Sequence, residues 1–170
     1  IGGHQGRLLA AGDVLALSAE KVESWREKSV DPTAVMAAAH DFRVVLGPQD
    51  DRFTKDAIAT FLAQPYRISP VSNRMGMRLE GPPLVHRDNA DIPSDGIVTG
   101  AIQVPGNGLP IILLADHQTT GGYTKIATVI SADLPQLARM MPGQDITFTA
   151  VDVTAAEAAA RHHAKAVAQV

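Results

Sequence analysis

The sequence contains no cysteine. That excludes a disulfide framework, thiolate metal sites and a cysteine nucleophile, and it fits a reducing compartment such as the cytoplasm. Neither sign of charge dominates: the formal net charge is −3 over 170 residues, which leaves no basic footprint for nucleic acid and no polybasic patch for a membrane surface. No apolar run reaches about 18 residues and no signal-like segment is present, so no membrane span is expected. No Gly-x-Ser-x-Gly elbow supplies a serine nucleophile. The chain also opens on Ile1 rather than methionine, the mark of a fragment or a processed product. What remains is ordinary for a globular domain. A hydrophobic content of 45% suffices for a core and a charged content of 19% argues against disorder.

The most informative stretch is 97–130. Two apolar runs, Ile97 to Val104 and Pro110 to Ala115, flank Pro105-Gly106-Asn107-Gly108, and Asn-Gly between strand-like runs predicts a hairpin, because both residues tolerate positive φ at little cost. The second run ends in Asp116, His117, Gln118, Thr119 and Thr120, followed by Gly121, Gly122 and Tyr123 and by a third β-branched run, Lys125 to Ile130. A loop so rich in donors and acceptors beside paired glycines is where a strand scaffold holds a site; a plain glycine-bearing connection is the alternative.

Upstream, the glycines at 2, 3, 6 and 12 with short apolar pairs predict turns and one or two short strands over 1–17. Gly2 to Gly6 is either an anion-approaching loop or a simple turn. Residues 18–40 read as a connector, with Trp25 anchoring packing and Asp31-Pro32 starting a helix. Phe42 to Leu46 reads as a buried strand ending at Gly47-Pro48. Phe53, Ala57, Ile58, Phe61 and Leu62 form one stripe of a helix over 51–63, capped by Asp50 or Asp51 and closed by Pro65. Tyr66 to Val71 is a strand that Pro70 interrupts. In 72–81, SNRMGMRLEG, Met77 and Leu79 alternate with Arg78 and Glu80, a strand with arginine on its outer face; Arg74, in a turn beside Asn73, is either an anion ligand or a solvated surface group. Residues 82–96 form a long loop, and its His86, Asp88 and Asp91 match no metal-ligand spacing. Asp133 caps a short helix with Leu134, Leu137, Ala138 and Met141 inward, Ile146, Phe148 and Ala150 mark a half-buried strand, and Thr154 to Glu157 is a capping box for a last helix. The sum is six or seven hairpin-connected strands with short helices: a β-rich α+β domain with a closed or nearly closed sheet.

Several segments resemble one family. GPQDDRF at 47–53, SNRMGMRLEG at 72–81, IQVPGNGLPIIL at 102–113, DHQTTGGY at 116–123 and Pro142-Gly143, with GGHQGR at 2–7 and Ala11-Gly12-Asp13, are similar to the allophanate hydrolase subunit 2 or KipA family, which includes the C subunit of 5-oxoprolinase and biotin-dependent carboxyltransferase-like domains. The resemblance implies a cyclophilin-like β-barrel with short covering helices. It also implies a subunit about twice this long, so that 1–40 holds the tail of an upstream domain plus a connector, 41–155 the barrel and 156–170 a C-terminal helix.

For function, the resemblance implies a subunit of an ATP-dependent 5-oxoprolinase, which opens a cyclic amide to give glutamate. The partners implied are a KipI-like subunit 1, the missing N-terminal half of the same subunit and a third component. A biotin-dependent carboxyltransferase acting on urea, or a non-catalytic regulator of a KipI-like partner, are the other readings. The chain has no Gly-x-x-x-x-Gly-Lys-[Ser/Thr] loop and no biotin-accepting Met-Lys-Met, so ATP and any biotin belong elsewhere in the assembly, and the fragment alone is expected to be inactive. Either chemistry needs a pocket that holds a small planar amide while charge develops on oxygen. The expected catalytic set is Asp116, His117, Gln118, Thr119 and Thr120, with Asp116 or His117 moving the proton. Asn73, Arg74, Gln103, Gly121, Gly122 and Tyr123 are the expected substrate-binding residues, with no metal. Family members commonly carry arginine at the position of His117, which weakens histidine as an essential base.

Overall fold

A computed structural model describes residues 4–16 and 40–168 of the chain. They fall into two compact units, Ile1–Val30 and Asp31–Val170. In the first, the expected short strands reduce to one isolated bridge between His4 and Arg7. It is closed by a turn in which Gln5 and Gly6 take positive φ and Arg7 N donates to His4 O. Arg7 then forms a bidentate ion pair with Asp13 at 2.6 and 2.8 Å. Paired polar groups hold this segment, where apolar pairs too few to bury a strand face do not. The expectations for Gly2-Gly3, Trp25 and Asp31-Pro32 lie outside the described residues.

The second unit contains β1 (Asp41–Leu46), α1 (Lys55–Ala63), β2 (Tyr66–Ile68), β3 (Gly76–Glu80), β4 (Asp91–Gly96), β5 (Ala101–Gln103), β6 (Ile111–Leu113), β7 (Thr120–Tyr123), β8 (Lys125–Val129), α2 (Leu134–Leu137), β9 (Asp145–Ala150) and α3 (Val153–Ala168). Seven strands close a barrel in the order β1-β8-β5-β6-β3-β2-β9, and β4 and β7 form a separate two-stranded sheet. The closed sheet expected from the strand pattern is present, but its connectivity is not a run of hairpins. Only β2–β3 and β5–β6 are sequence neighbours within the barrel, and closure comes from the parallel pairing of β9 with β1, Phe42 opposite Phe148.

Period-two alternation drives the wall, because every second side chain must leave water. Met77 and Leu79 point inward while Arg78 and Glu80 are exposed, and Ile146 and Phe148 do the same in β9. At one end α1 packs on this core through Ala57 and Phe61, with Ile58 and Leu62 at the margin. The ring of Phe61 stacks on Phe148 at 4.5 Å, and each such buried ring contributes about 2–3 kcal/mol.

Four local expectations are corrected. The helix cap of α1 is Thr54, whose Oγ1 accepts from Ala57 N at 3.1 Å; Asp50 and Asp51 instead open a short 3-10 turn, because Phe53 is drawn into a bridge with His86 and the helix begins after it. The hairpin expected at 105–108 joins β5 to β6, but its turn does not use positive φ at both Asn107 and Gly108. Gly108 alone is left-handed, at +75°, because Asn107 Oδ1 accepts from Leu109 N and Gly108 packs against Leu84, where an added Cβ would meet backbone at 3.0 Å. Asp133 does not cap α2. Its carboxylate takes the Arg43 main-chain N–H and guanidinium, and Leu137 and Met140, rather than Ala138 and Met141, are buried. In α3 the first-turn acceptor is Asp152, receiving Ala155 N at 2.7 Å, and not the Thr154 to Glu157 box.

The loop expected over 82–96 contains β4. Asp-Ile-Pro-Ser-Asp-Gly has little intrinsic strand preference, and pairing with β7 overrides it.

Candidate functional site

β5 and β6 have side chains covered on both faces. Ile102 and Ile112 belong to the barrel core. Their neighbours Ala101, Leu113 and Ile111 join Ile97 in a second, smaller apolar cluster, which alternation places on the outer wall. The cover is the β4–β7 sheet, a flap lying against that wall. Its contact is tight at Gly121, where a Cβ would come within 2.6 Å of Ile97 Cδ1 and 2.7 Å of Gln103 Nε2. Both atoms are the far ends of side chains that can turn aside, so the approach marks where the flap meets the wall, and an added methyl there would displace the Gln103 amide.

Gln103 is the polar member of this covered face. It is 3% exposed, and its Nε2 has no hydrogen-bond partner. A buried amide nitrogen in that state costs about 1–3 kcal/mol, so a fold that keeps it does so for something other than stability. Register fixes its neighbours: Gln103 lies opposite Ile111 on β6, and Ile111 opposite Arg78 on β3. The three share one outer row. Around them Asn73, Met75, Gly76, Leu113, Gln118 and Tyr123 complete a cavity of about 210 Å³, smaller than the roughly 300–1,000 Å³ of drug-sized sites and suited to a small metabolite. Asn73 is held by its own turn, Oδ1 accepting from Met75 N at 2.9 Å and Gly76 N at 3.2 Å, which leaves its amide nitrogen as the group it offers.

On the other side of β5, a register shift sets Gln103 opposite Lys125. Lys125, 3% exposed, donates from Nζ to Asp95 Oδ2 on β4 at 2.8 Å, and Gln49 joins them, accepting from Lys125 N and donating to Asp95. The ammonium beside it holds the Asp95 carboxyl below the usual carboxylate range. This pair fastens the flap to the wall.

The structure brings Asn73, Gln103, Gln118 and Tyr123 to one cavity, with Gly121 as the backing of Gln103. Arg74, Asp116, His117, Thr119, Thr120 and Gly122 are not among its lining residues. Arg74 and Asp116 find each other, in a bidentate pair at 2.6 and 3.1 Å that holds the Asp116 carboxyl low and so makes it a weak base. His117 Nδ1 lies 2.6 Å from Gln118 O and Nε2 3.2 Å from Thr99 Oγ1, so both ring nitrogens are engaged in shaping the loop. Thr119 O receives Ile97 N, and Thr120 pairs with Gly96. Two participants were missing from the expected set: Arg78, which alternation alone reads as a solvated group, and Lys125, whose signal was a lone charge heading the β-branched run 125–130.

Comparison with known proteins gives a consistent picture. The family model described as "carboxyltransferase domain, subdomain A and B" matches residues 1–150. The C subunit of 5-oxoprolinase from Escherichia coli (strain K12) is 39% identical over 148 residues, covering 87% of this chain and 47% of that protein. Its Haemophilus influenzae counterpart is 36% identical over 153 residues, covering 90% and 48%. The chain thus spans about half the length of these relatives. Among solved structures, the K. lactis urea amidolyase superposes with a TM-score of 0.82 at 26% identity, over 98% of this chain and 11% of that one.

Proposed function

The chain belongs to the carboxyltransferase domain family, subdomains A and B, and on that premise we propose that it is the C-terminal part of a 5-oxoprolinase subunit whose flap-covered cavity holds the cyclic amide during ATP-dependent ring opening. The observation that carries this reading is the buried, unpartnered Gln103 Nε2 in a cavity that also presents the amides of Gln118 and Asn73. Amide donors lining one cavity suit a small planar amide whose oxygen gains charge, and a single such donor is worth about 10²–10³ in rate. The bacterial relatives named as 5-oxoprolinase subunits favour this substrate.

The cavity is of metabolite size, and the chain carries no Gly-x-x-x-x-Gly-Lys-[Ser/Thr] loop. We therefore assign ATP, and with it the activation of the amide, to another part of a cytoplasmic assembly that includes a KipI-like subunit 1, the N-terminal half of this subunit and a third component. Within that assembly Gln103 and Gln118 orient the amide and the flap excludes water from it. The likeness to the K. lactis urea amidolyase structure favours a second reading, transfer of a carboxyl group from carboxybiotin on a separate carrier to urea.

The test is reconstitution of the full-length subunit with its partners, reading glutamate and phosphate release from ATP and 5-oxoproline. Gln103→Leu and Gln118→Ala are expected to lower turnover at least about 100-fold and 10-fold respectively. Undiminished turnover in Gln103→Leu refutes the placement of the substrate. Carboxybiotin consumption with urea, and none of 5-oxoproline, selects the second reading.

A further inference from the structure

Resting on the reading that this cavity holds a small amide, we propose that Arg78 is its carboxylate clamp, so that the ligand is an amide bearing one negative charge beside the amide group and not a neutral amide such as urea. Arg78 is the charged residue in the lining; Gln103, Gln118 and Asn73 are neutral amides, Tyr123 is a phenol, and Ile111, Leu113 and Met75 are apolar. No acidic side chain lines the cavity to neutralise it.

Three other arginines of the barrel domain are committed: Arg43 to Asp133, Arg67 to Asp145 and Arg74 to Asp116. Arg78 has no carboxylate partner among the described residues, and the acidic group next along its strand, Glu80, instead receives the Ser69 hydroxyl. A guanidinium whose five donors are unspent, set in a row with a buried unspent amide, is a two-point recognition element. The fork takes a carboxylate edge-on, and the amide takes a carbonyl.

The spacing agrees with that division. Gln103 and Arg78 stand two strands apart with Ile111 between them, roughly 10 Å from backbone to backbone. Both residues line the cavity together with the apolar Ile111 and Leu113. What they can grip together is a small ring whose amide carbonyl and carboxylate lie on opposite sides of one nitrogen.

The experiment uses the full-length subunit assembled with its partners, with a non-hydrolysable ATP analogue present, and measures binding of 5-oxoproline and of its neutral carboxamide by calorimetry. Wild type is expected to prefer the acid. Arg78→Gln should weaken the acid about 10- to 100-fold, the worth of one or two charge-assisted hydrogen bonds, while leaving the carboxamide unchanged. Arg78→Lys should recover part of the loss, because charge returns without the fork. Equal weakening of both ligands by Arg78→Gln, or no weakening of either, overturns the clamp. In the same series Gln103→Leu should weaken acid and carboxamide together. If it weakens neither while Arg78→Gln still weakens the acid alone, the amide placement fails and the clamp stands; if wild type binds neither ligand, both fall.

Discussion

Gln103 separates stability from function at the scale of one side chain. Its unpaired Nε2 is a standing cost, so Gln103→Leu, which keeps volume and removes the polar atom, should leave thermal stability unchanged or raise it by about 1 kcal/mol while activity falls. A melt and an assay on the same preparation check both halves. A loss of stability would mean that the amide is structural. Gln103 was expected among the substrate-binding residues, but its burial without a partner could not be read from the apolar run 97–104. Arg78 was not in that expected set. Alternation assigns it correctly to the outer face, but what turns outer face into cavity is the segment carrying Gln118 and Tyr123, which the sequence shows only as a glycine-rich polar loop.

At the scale of elements, the flap hangs on two contacts that respond differently to substitution. Gly121→Ala places a methyl against Gln103 Nε2 and Ile97 Cδ1. Both are side-chain ends that can turn aside, so the expected stability cost is about 1 kcal/mol or less, while activity falls because the Gln103 amide is displaced; thermal melts alongside turnover assays check both. The Lys125–Asp95 pair is asymmetric, with a buried ammonium against a half-exposed carboxylate. Asp95→Ala strands the ammonium and should cost about 3 kcal/mol, whereas Lys125→Met removes the buried charge, leaves Asp95 to water and should cost less. Denaturant titrations of the two variants, compared side by side, test the order. The helix stripe 53–62, the alternation in β3 and β9 and the β5–β6 hairpin were readable because each rests on local periodicity. The caps were not, because Asp133 and the aspartates at 50 and 51 each found a use set by residues distant in sequence.

Across the barrel domain, His86 joins three segments: its ring lies 4.6 Å from Phe53, and Nε2 donates to Val104 O at 3.1 Å beside Thr124 Oγ1 at 3.0 Å. Burial pushes its imidazole below the usual 6.5, against the opposing pull of the Val104 carbonyl. The unfolded chain therefore takes up the proton first as pH falls. Stability should be full above about pH 7, decline as pH drops through the unfolded value and level off below the folded one. In His86→Gln that decline should flatten, a difference visible in melting temperatures taken from about pH 7 to pH 5. The paired carboxyls Asp95, Asp116 and Asp145, all held low by cations, add a separate loss only in stronger acid. The overall class, a closed β-rich domain, was legible from strand count. The order of strands was not, since it depends on pairings such as β1 with β8 and β9 that no local pattern encodes.

That pairing order has a consequence for synthesis. Until residues 145–150 leave the ribosome, a nascent chain carries β1 and β2 as two naked edges on an unclosed sheet, each inviting a neighbouring polypeptide to supply the absent strand. Closure thus waits on β9 pairing with β1 and β2, strands far away in sequence, and such non-local topologies fold slowly. A stalled chain ending at residue 144 should bind chaperones or aggregate, and one extended through β9 should be released from both.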